Sequence, residues 1–113
     1  MSTIFKDIID RKINADIVYE TDSILAFKDI NSVAPQHLLI IPKKEIATVN
    51  DVEDKDAIIL GEMILAAKNI AKELNVSKSG YRLVINCNED AGQTVFHLHM
   101  HFIAGRKLTW PPG

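Results

Sequence analysis

Residues 94–103 read TVFHLHMHFI, a stretch in which histidine alternates with apolar residues. Three of the four histidines of the chain lie within it: His97, His99 and His101. Because successive side chains of a β-strand point to opposite faces of the sheet, the pattern predicts a strand that begins at residue 94 or 95, ends at residue 103 and carries all three histidines on one face. The opposite face is expected to pack on a helix through its apolar residues: Phe96, Leu98, Met100 and Phe102.

Two ordinary explanations of this histidine face compete with a catalytic one. A solvated sheet face would normally carry threonine, lysine or glutamate rather than histidine. A metal site is the second alternative, since histidines on the same face of a strand lie about 6.5–7 Å apart, so that two of them can share an ion. A third histidine reaches such an ion with difficulty, structural zinc takes four ligands that often include cysteine, and the only other histidine is His37.

Catalysis at a phosphoryl centre explains the pattern better. A neutral imidazole is a competent nucleophile, and its ordinary pKa of about 6.5 keeps it largely neutral at pH 7. A neighbouring imidazole can hold or donate a proton. Just upstream, the polar residues 86–94 offer Gly92, backbone N–H groups and the Thr94 hydroxyl, which together can hold the oxygens of an anion.

The composition is that of one globular domain spanning residues 1–113. Hydrophobic residues make up 47% and charged residues 25% of the 113 positions, which is typical of soluble domains of this size. The net charge of −2 argues against a protein that coats nucleic acid, because such proteins need an excess of cations.

The same composition predicts a cytoplasmic location. A single cysteine, Cys87, cannot form an internal disulfide, which fits a reducing compartment. Charges at Lys6, Asp7 and Asp10 interrupt the first residues, so no apolar signal core is expected there. The most apolar stretch, residues 57–67, is far shorter than the roughly 20 residues of a membrane span, and no membrane association is expected.

The rest of the chain predicts an α+β fold with a mainly antiparallel sheet, since strands and helices are segregated along it. An opening helix, capped by Ser2 or Thr3, is expected from apolar residues at helical spacing: Ile4, Phe5, Ile8, Ile9 and Ile13. Four short β-rich segments are predicted as strands: residues 17–20, 24–29, 37–41 and 81–87. Residues 54–74 carry the clearest helical pattern, with one apolar stripe: Leu60, Met63, Ile64, Ala67, Ile70, Ala71 and Leu74.

Residues 97–103, HLHMHFI, resemble the histidine triad motif, in which three histidines alternate with apolar residues and a further apolar residue follows. Other segments resemble the Hint branch of the histidine triad superfamily, the histidine triad nucleotide-binding proteins: AFKDI at 26–30, APQH at 34–37, IPKK at 41–44, AGQTV at 91–95 and WPPG at 110–113. The resemblance runs from Ile4 to Gly113 and so covers nearly the whole chain.

The resemblance implies a fold and an activity. The fold is a five-stranded antiparallel sheet with one long and one short helix, and two subunits join their sheets into a homodimer with ten continuous strands. The activity is that of a purine nucleoside phosphoramidase, which hydrolyses the P–N bond of adenosine or guanosine 5′-phosphoramidates and releases the nucleoside monophosphate and an amine. Neither a metal nor another cofactor is expected.

The resemblance also implies roles for individual residues. His99 would attack the α-phosphorus and form a nucleotidyl-histidine intermediate, and His101 would lie near the phosphate and the leaving group. His97 would orient His99, partly through its backbone carbonyl, and His37 would pack behind the site. Asp29 would accept the ribose hydroxyls, because a carboxylate can take two hydrogen bonds from a diol.

Three further groups of residues complete the implied nucleotide site. The purine slot would be apolar: Phe5, Ile8, Ile13, Phe27, Ile30 and Leu39. The phosphate would contact Asn86, Gly92, Gln93 and Thr94. Trp110 would reach toward the site of the partner subunit. Simpler roles stay open for several of these residues. Phe27, Ile30 and Leu39 could be core, Asp29 could be a turn residue, and Trp110 could be exposed or packed in the dimer without a role in ligand binding.

Two other functions remain as alternatives. One is a dinucleoside polyphosphate hydrolase like the neighbouring Fhit branch, but the WPPG segment and the acidic residues 88–90 argue against it. The other is a dimer that binds nucleotide without catalysis, and the complete set of three motif histidines argues against that.

Overall fold

The structure of the chain, a computed structural model, describes residues 3–113. Within them, five strands form one antiparallel sheet: β1 (Ile17–Glu20), β2 (Ile24–Lys28), β3 (Gln36–Pro42), β4 (Tyr81–Val84) and β5 (Met100–Ala104). The strand order is β1-β2-β3-β5-β4. Two α-helices, α1 (Ile4–Ile9) and α2 (Ala57–Glu73), accompany the sheet, together with short 3-10 helices at Val49–Asp51, Asp54–Asp56 and Glu89–Ala91. The predicted α+β fold with a five-stranded antiparallel sheet and one long helix is confirmed.

The sheet is covered on both faces, and the period of two in β2 and β3 divides the apolar residues between them. Ile24, Ala26, Leu38 and Ile40 face α2 and belong to the larger core cluster. Leu25, Phe27, Leu39 and Ile41 face the other way and pack with Phe5 and Ile8 of α1. The core under α2 also contains the apolar residues that alternate with the histidines: Leu98, Met100 and Phe102.

The short helix α1 is defined by local signals at both ends. Thr3 is its N-cap, because the Thr3 hydroxyl accepts a hydrogen bond from the backbone N–H of Lys6 at 3.2 Å. The other predicted cap, Ser2, lies outside the described residues. Arg11 has a left-handed backbone with φ of 61°, which an α-helix cannot accommodate. Ile13 therefore lies beyond the helix and is 40% exposed.

The long helix also departs in detail from its prediction. Residues 54–56 form a separate 3-10 turn before α2. The Asp56 carboxylate is buried there and accepts hydrogen bonds from the Glu53 N–H and the Lys44 ammonium. The pairing with Lys44 keeps the pKa of Asp56 below its usual value. Of the predicted apolar stripe, Ile64 is 51% exposed, whereas the core side of α2 consists of Met63, Ala66, Ala67, Ile70 and Ala71.

Two predicted strands are too long. The fourth strand ends at Val84 rather than at residue 87, and the last strand begins at Met100 rather than at residue 94 or 95. The cause is the length of the neighbouring strands, since β5 pairs with residues 36–40 of β3 and with residues 81–84 of β4. Phe96 lies outside this ladder and is 48% exposed, so the prediction that it belongs to the core is wrong.

None of the helices within residues 3–113 has the length and apolar character needed to cross a membrane.

Candidate functional site

The motif histidines lie on the face of the sheet that α1 covers. The Phe5 ring of α1 meets His99 edge-on with centroids 5.0 Å apart, and it meets His97 in the same way at 6.3 Å. His97 and His99 are 2% and 7% exposed, while His101 is partly open to solvent. The three rings therefore form a half-enclosed site with α1 as one wall.

His99 is oriented by a backbone carbonyl. Its Nδ1 lies 2.7 Å from the carbonyl oxygen of His97. A carbonyl oxygen can only accept a hydrogen bond, so Nδ1 of His99 carries the proton. The neutral ring then has its lone pair on Nε2. This is the protonation state that a histidine nucleophile needs, and it comes without an added charge beside the ring.

His101 is oriented by a chain of hydrogen bonds that begins at Val33. The backbone N–H of Val33 donates to Nδ1 of His37 at 3.1 Å, so the proton of neutral His37 lies on Nε2. That Nε2 is 2.9 Å from Nδ1 of His101 and donates to it. The remaining nitrogen of neutral His101, Nε2, must then carry the proton. These hydrogen bonds leave Nε2 of His101 as a donor, whereas Nε2 of His99 is an acceptor. The centroids of the two rings are 5.3 Å apart.

Burial favours the neutral forms of His97 and His101. Loss of hydration lowers the pKa of both imidazoles below the usual value, because a charged ring is costly away from water. The nearby rings of His99 and His37 lower the pKa of His101 further, and only Asp29 acts in the opposite direction. His97 donates from Nε2 to the Pro42 carbonyl at 2.7 Å, so it serves as an anchor for its own segment.

Asp29 completes the cluster around His37. Its Oδ2 lies 3.3 Å from Nε2 of His37 and 4.0 Å from Nδ1 of His101. Its Oδ1 accepts a hydrogen bond from the Asn31 N–H at 2.8 Å. Each carboxylate oxygen can accept two hydrogen bonds, so capacity for a further donor remains.

The spacing of Asp29, His37 and His101 also resembles that of a metal site, since their ligand atoms all lie within 4.8 Å of one another. The hydrogen bonds of His37 do not fit metal binding. A metal-bound histidine normally donates its second ring N–H to an acceptor, but Nδ1 of His37 faces the N–H of Val33, which is a donor. His37 therefore holds its proton on the nitrogen that would bind the ion. The cluster fits a hydrogen-bonded relay better than a metal centre.

The residues proposed for the purine slot fall into two sets. Four of them are buried together next to the histidines: Phe5, Ile8, Phe27 and Leu39. The other two lie at the surface, with Ile30 94% and Ile13 40% exposed. Trp110 is 81% exposed, and its segment is fastened beside β4 because Arg82 donates to the Thr109 carbonyl at 2.9 Å.

The predicted phosphate loop turns back on itself before the histidines. Gly92 has a left-handed backbone with φ of 88°, which glycine adopts without strain. Its N–H donates to the Glu89 carbonyl at 2.9 Å. Thr94 is exposed, Asn86 is half-buried, and Gln93 is buried with its amide bonded to the backbone.

Two functional groups have no counterpart in the sequence analysis: the N–H of Val33 and the carbonyl of Pro42. Both act through the main chain. No residue type signals such a group, so only the folded geometry reveals it.

Comparison with known proteins gives one consistent family. The HIT domain model matches residues 10–108. An uncharacterised HIT-like protein of Synechocystis sp. is 50% identical over 111 residues, which cover 98% of this chain and 96% of that protein.

Solved structures agree with this result. A HIT family hydrolase from Legionella pneumophila is similar with a TM-score of 0.97 and 49% identity, over 99% of this chain and 100% of the other. A histidine triad nucleotide-binding protein from Candida albicans is similar with a TM-score of 0.83 and 30% identity, over 97% of this chain and 83% of the other.

Proposed function

This chain belongs to the HIT domain family, and from that premise we propose that it hydrolyses the P–N bond of adenosine or guanosine 5′-phosphoramidates. The Legionella pneumophila neighbour is named a hydrolase, which supports hydrolysis as the general reaction. The Candida albicans neighbour is named a nucleotide-binding protein, which supports a nucleotide as ligand.

One observation carries the proposal. In the adjacent rings of His99 and His101, the Nδ1 atoms are engaged in hydrogen bonds within the protein. The two Nε2 atoms differ in protonation, since that of His99 is unprotonated and that of His101 is protonated. The carbonyl of His97 leaves the lone pair of His99 on Nε2, and the relay from Val33 through His37 leaves a proton on Nε2 of His101. A nucleophile and a proton donor side by side are what cleavage of a phosphorus–nitrogen bond requires, because an amine leaves poorly unless it is protonated.

In the first step, Nε2 of His99 forms a bond to the α-phosphorus while the P–N bond breaks and its electron pair stays with nitrogen. An anionic phosphoryl group beside His101 favours the doubly protonated ring, which gives its Nε2 proton to the departing nitrogen and becomes neutral. Asp29 offsets this charge while it is present, because its Oδ2 lies 3.3 Å from Nε2 of His37 and 4.0 Å from Nδ1 of His101.

In the second step, water replaces the histidine on phosphorus. The neutral His101 accepts a proton from the attacking water, the bond between phosphorus and His99 breaks, and the nucleoside monophosphate is released. His101 regains its proton in this step, so the two steps return both rings to their starting states.

The nucleoside is proposed to lie between α1 and the turn after β2. The buried apolar group of Phe5, Ile8, Phe27 and Leu39 lines this side of the sheet. The carboxylate of Asp29 stands at the mouth of the site with capacity for further donors, such as the ribose hydroxyls.

The function is tested by comparing two substrates with the chelator-treated protein. We expect kcat/KM for release of AMP from adenosine 5′-phosphoramidate to exceed that from diadenosine polyphosphate by about a hundredfold or more, or about 3 kcal/mol of transition-state discrimination. A preference for the polyphosphate would overturn the phosphoramidase assignment in favour of the Fhit-type reaction. AMP binding without turnover of either substrate would indicate a binding protein.

We also propose that the protein acts as a homodimer joined along β4. This strand is at the edge of the sheet, where backbone groups are available to pair with another strand. An apolar groove of about 320 Å³ lies between α2 and the segments that follow β4 and precede β5. Its lining includes the exposed Ile64 and Ile85.

Sedimentation equilibrium of the intact chain tests the dimer. We expect a mass twice that of one chain at micromolar concentration, and a shift toward the monomer in Ile85→Glu, because this change places a charge in the apolar groove. A wild-type protein that sediments as a monomer would contradict the proposal.

A further inference from the structure

The segment that carries the proposed nucleophile is held by hydrogen bonds to the end of β3 and to the loop after it, rather than by the ladder of the sheet. Residues 93–99 precede β5 and take no part in its ladder. Instead, three hydrogen bonds tie them to Pro42, the last residue of β3, and to Ile46 and Ala47 of the loop that follows it. His97 donates from Nε2 to the Pro42 carbonyl at 2.7 Å, the Leu98 N–H donates to the Ile46 carbonyl at 2.6 Å, and the Gln93 amide donates to the Ala47 carbonyl at 2.9 Å.

Gln93 contributes more hydrogen bonds to this arrangement than any other side chain in the segment. It is 5% exposed. Its Nε2 donates to the carbonyls of Ala47 at 2.9 Å and Val95 at 3.2 Å, and its Oε1 accepts the N–H of Asn88 at 2.9 Å. Both amide protons are therefore engaged with the protein backbone. Its own backbone N–H also donates internally, to the Asn88 carbonyl at 3.1 Å.

The three partners of the Gln93 amide belong to three different parts of the site. Asn88 begins the turn that leads to Gly92 and has a left-handed backbone with φ of 67°. Val95 packs against the apolar cluster next to the histidines and lies two residues before His97. Ala47 belongs to the loop after β3. The buried amide of Gln93 thus links three segments: the turn at Asn88 in the predicted phosphate loop, Val95 just before the histidines, and the loop after β3 at Ala47.

We propose that Gln93 is a positioning residue, which holds the carbonyl of His97 and the ring of His99 in register with the phosphate loop and does not itself bind the phosphate. The proposal rests on the function proposed above and deepens it. The reason is geometric, because both Nε2 protons point at backbone carbonyls and none remains for a phosphate oxygen. Displacement of a reacting group by about 1 Å can cost about a hundredfold in rate, so the effect is expected in the chemical step.

The sharpest variant is Gln93→Glu, which keeps the size of the side chain and an acceptor for the Asn88 N–H. It replaces the two donated hydrogen bonds with a carboxylate facing two carbonyl oxygens. The matched control is Asn69→Asp, because the Asn69 amide also donates a hydrogen bond, to the Tyr19 hydroxyl at 3.1 Å. That pair lies between β1 and α2, on the opposite face of the sheet from the histidines.

We expect Gln93→Glu to lower the rate of nucleotidyl transfer to His99, followed by rapid quench, by about 30- to 100-fold. The dissociation constant of AMP should change less than about threefold, and the NMR signal of the His99 Nδ1 proton should shift as its hydrogen bond lengthens. Asn69→Asp should leave all three quantities unchanged. Equal losses in rate and in AMP affinity would instead assign Gln93 to phosphate binding, and an unchanged rate would exclude the positioning role.

A measurement on the wild-type protein keeps the proposal testable if Gln93→Glu does not fold. The side-chain NH₂ protons of Gln93 should exchange slowly with solvent and should keep their chemical shifts when AMP is added. Shifts as large as those of the Gly92 and Thr94 backbone amides would overturn the proposal. If the wild-type protein neither hydrolyses phosphoramidates nor binds AMP, the proposed function fails. Slow exchange of the Gln93 amide protons would still show that its hydrogen bonds to the Ala47 and Val95 carbonyls are formed.

Discussion

The variant His99→Ala is expected to lower kcat for P–N hydrolysis by a factor on the order of 10⁴ or more, because it removes the atom that bonds to phosphorus. The dissociation constant of AMP should stay within a few-fold of the wild-type value. The proposed binding groups are the apolar wall around Phe5 and the carboxylate of Asp29, and the substitution leaves both in place. Steady-state assays and a calorimetric titration of AMP measure the two quantities on the same preparation.

Trapping the covalent intermediate provides the control for His99→Ala. Acidic or thermal quenching of the wild-type protein during turnover should give a nucleotide adduct that mass spectrometry places on the peptide containing residues 97–101. The same treatment of His99→Ala should give none. A variant that keeps more than a few per cent of the wild-type rate, or an adduct on another residue, would show that His99 is not the nucleophile.

The second large effect is expected for His101→Ala, and it should depend on the leaving group. With an alkylamine as leaving group, kcat/KM should fall by about 10²- to 10⁴-fold, which is the usual contribution of a positioned proton donor. With an aryl oxide of low pKa, which leaves without protonation, the loss should be below about tenfold. A series of nucleoside 5′-phosphoramidates and aryl esters measures this dependence directly.

The substitution His37→Gln is the companion to His101→Ala, because it breaks the relay but leaves the His101 ring present. Its losses should follow the same dependence on the leaving group and should be smaller. Losses of equal size across the whole leaving-group series would contradict the role of His101 as proton donor, since they would point to damage in binding or in the attack by His99.

The sequence predicts the two faces of the histidine segment better than it predicts the strand. Leu98, Met100 and Phe102 enter the core under α2 while the histidines face α1, because extended backbone alternates its side chains whether or not a neighbouring strand is present. The start of β5 depends instead on where β3 and β4 offer partners, and that is a property of distant residues. Phe96 shows the difference, since the alternating pattern predicts it in the core, whereas the chain bends at residues 95–97 and leaves it 48% exposed.

The same distinction applies to the site. The resemblance to the histidine triad family predicts that His37 and Asp29 belong to the site, and the structure places both beside His101. Of the backbone groups that orient the rings, the resemblance predicts the carbonyl of His97. The N–H of Val33 and the carbonyl of Pro42 are revealed by no residue type. The resemblance places Ile30 in the purine slot, but this residue follows β2 at the surface and is 94% exposed, which its hydrophobicity does not predict.

The contact between Phe5 and His99 has a consequence for protein synthesis. The ring of Phe5 in the first helix lies 5.0 Å from a histidine that is translated 94 positions later. As the chain emerges from the ribosome, N-terminal part first, the apolar face of α1 can pack on Phe27 and Leu39 once β2 and β3 are made, whereas Phe5 meets His99 only after residue 99 is translated. The wall of the proposed nucleotide site and the proposed nucleophile therefore meet only at that late stage. Translation products that end before residue 99 lack this contact, so the proposed activity would require synthesis to pass the histidine segment.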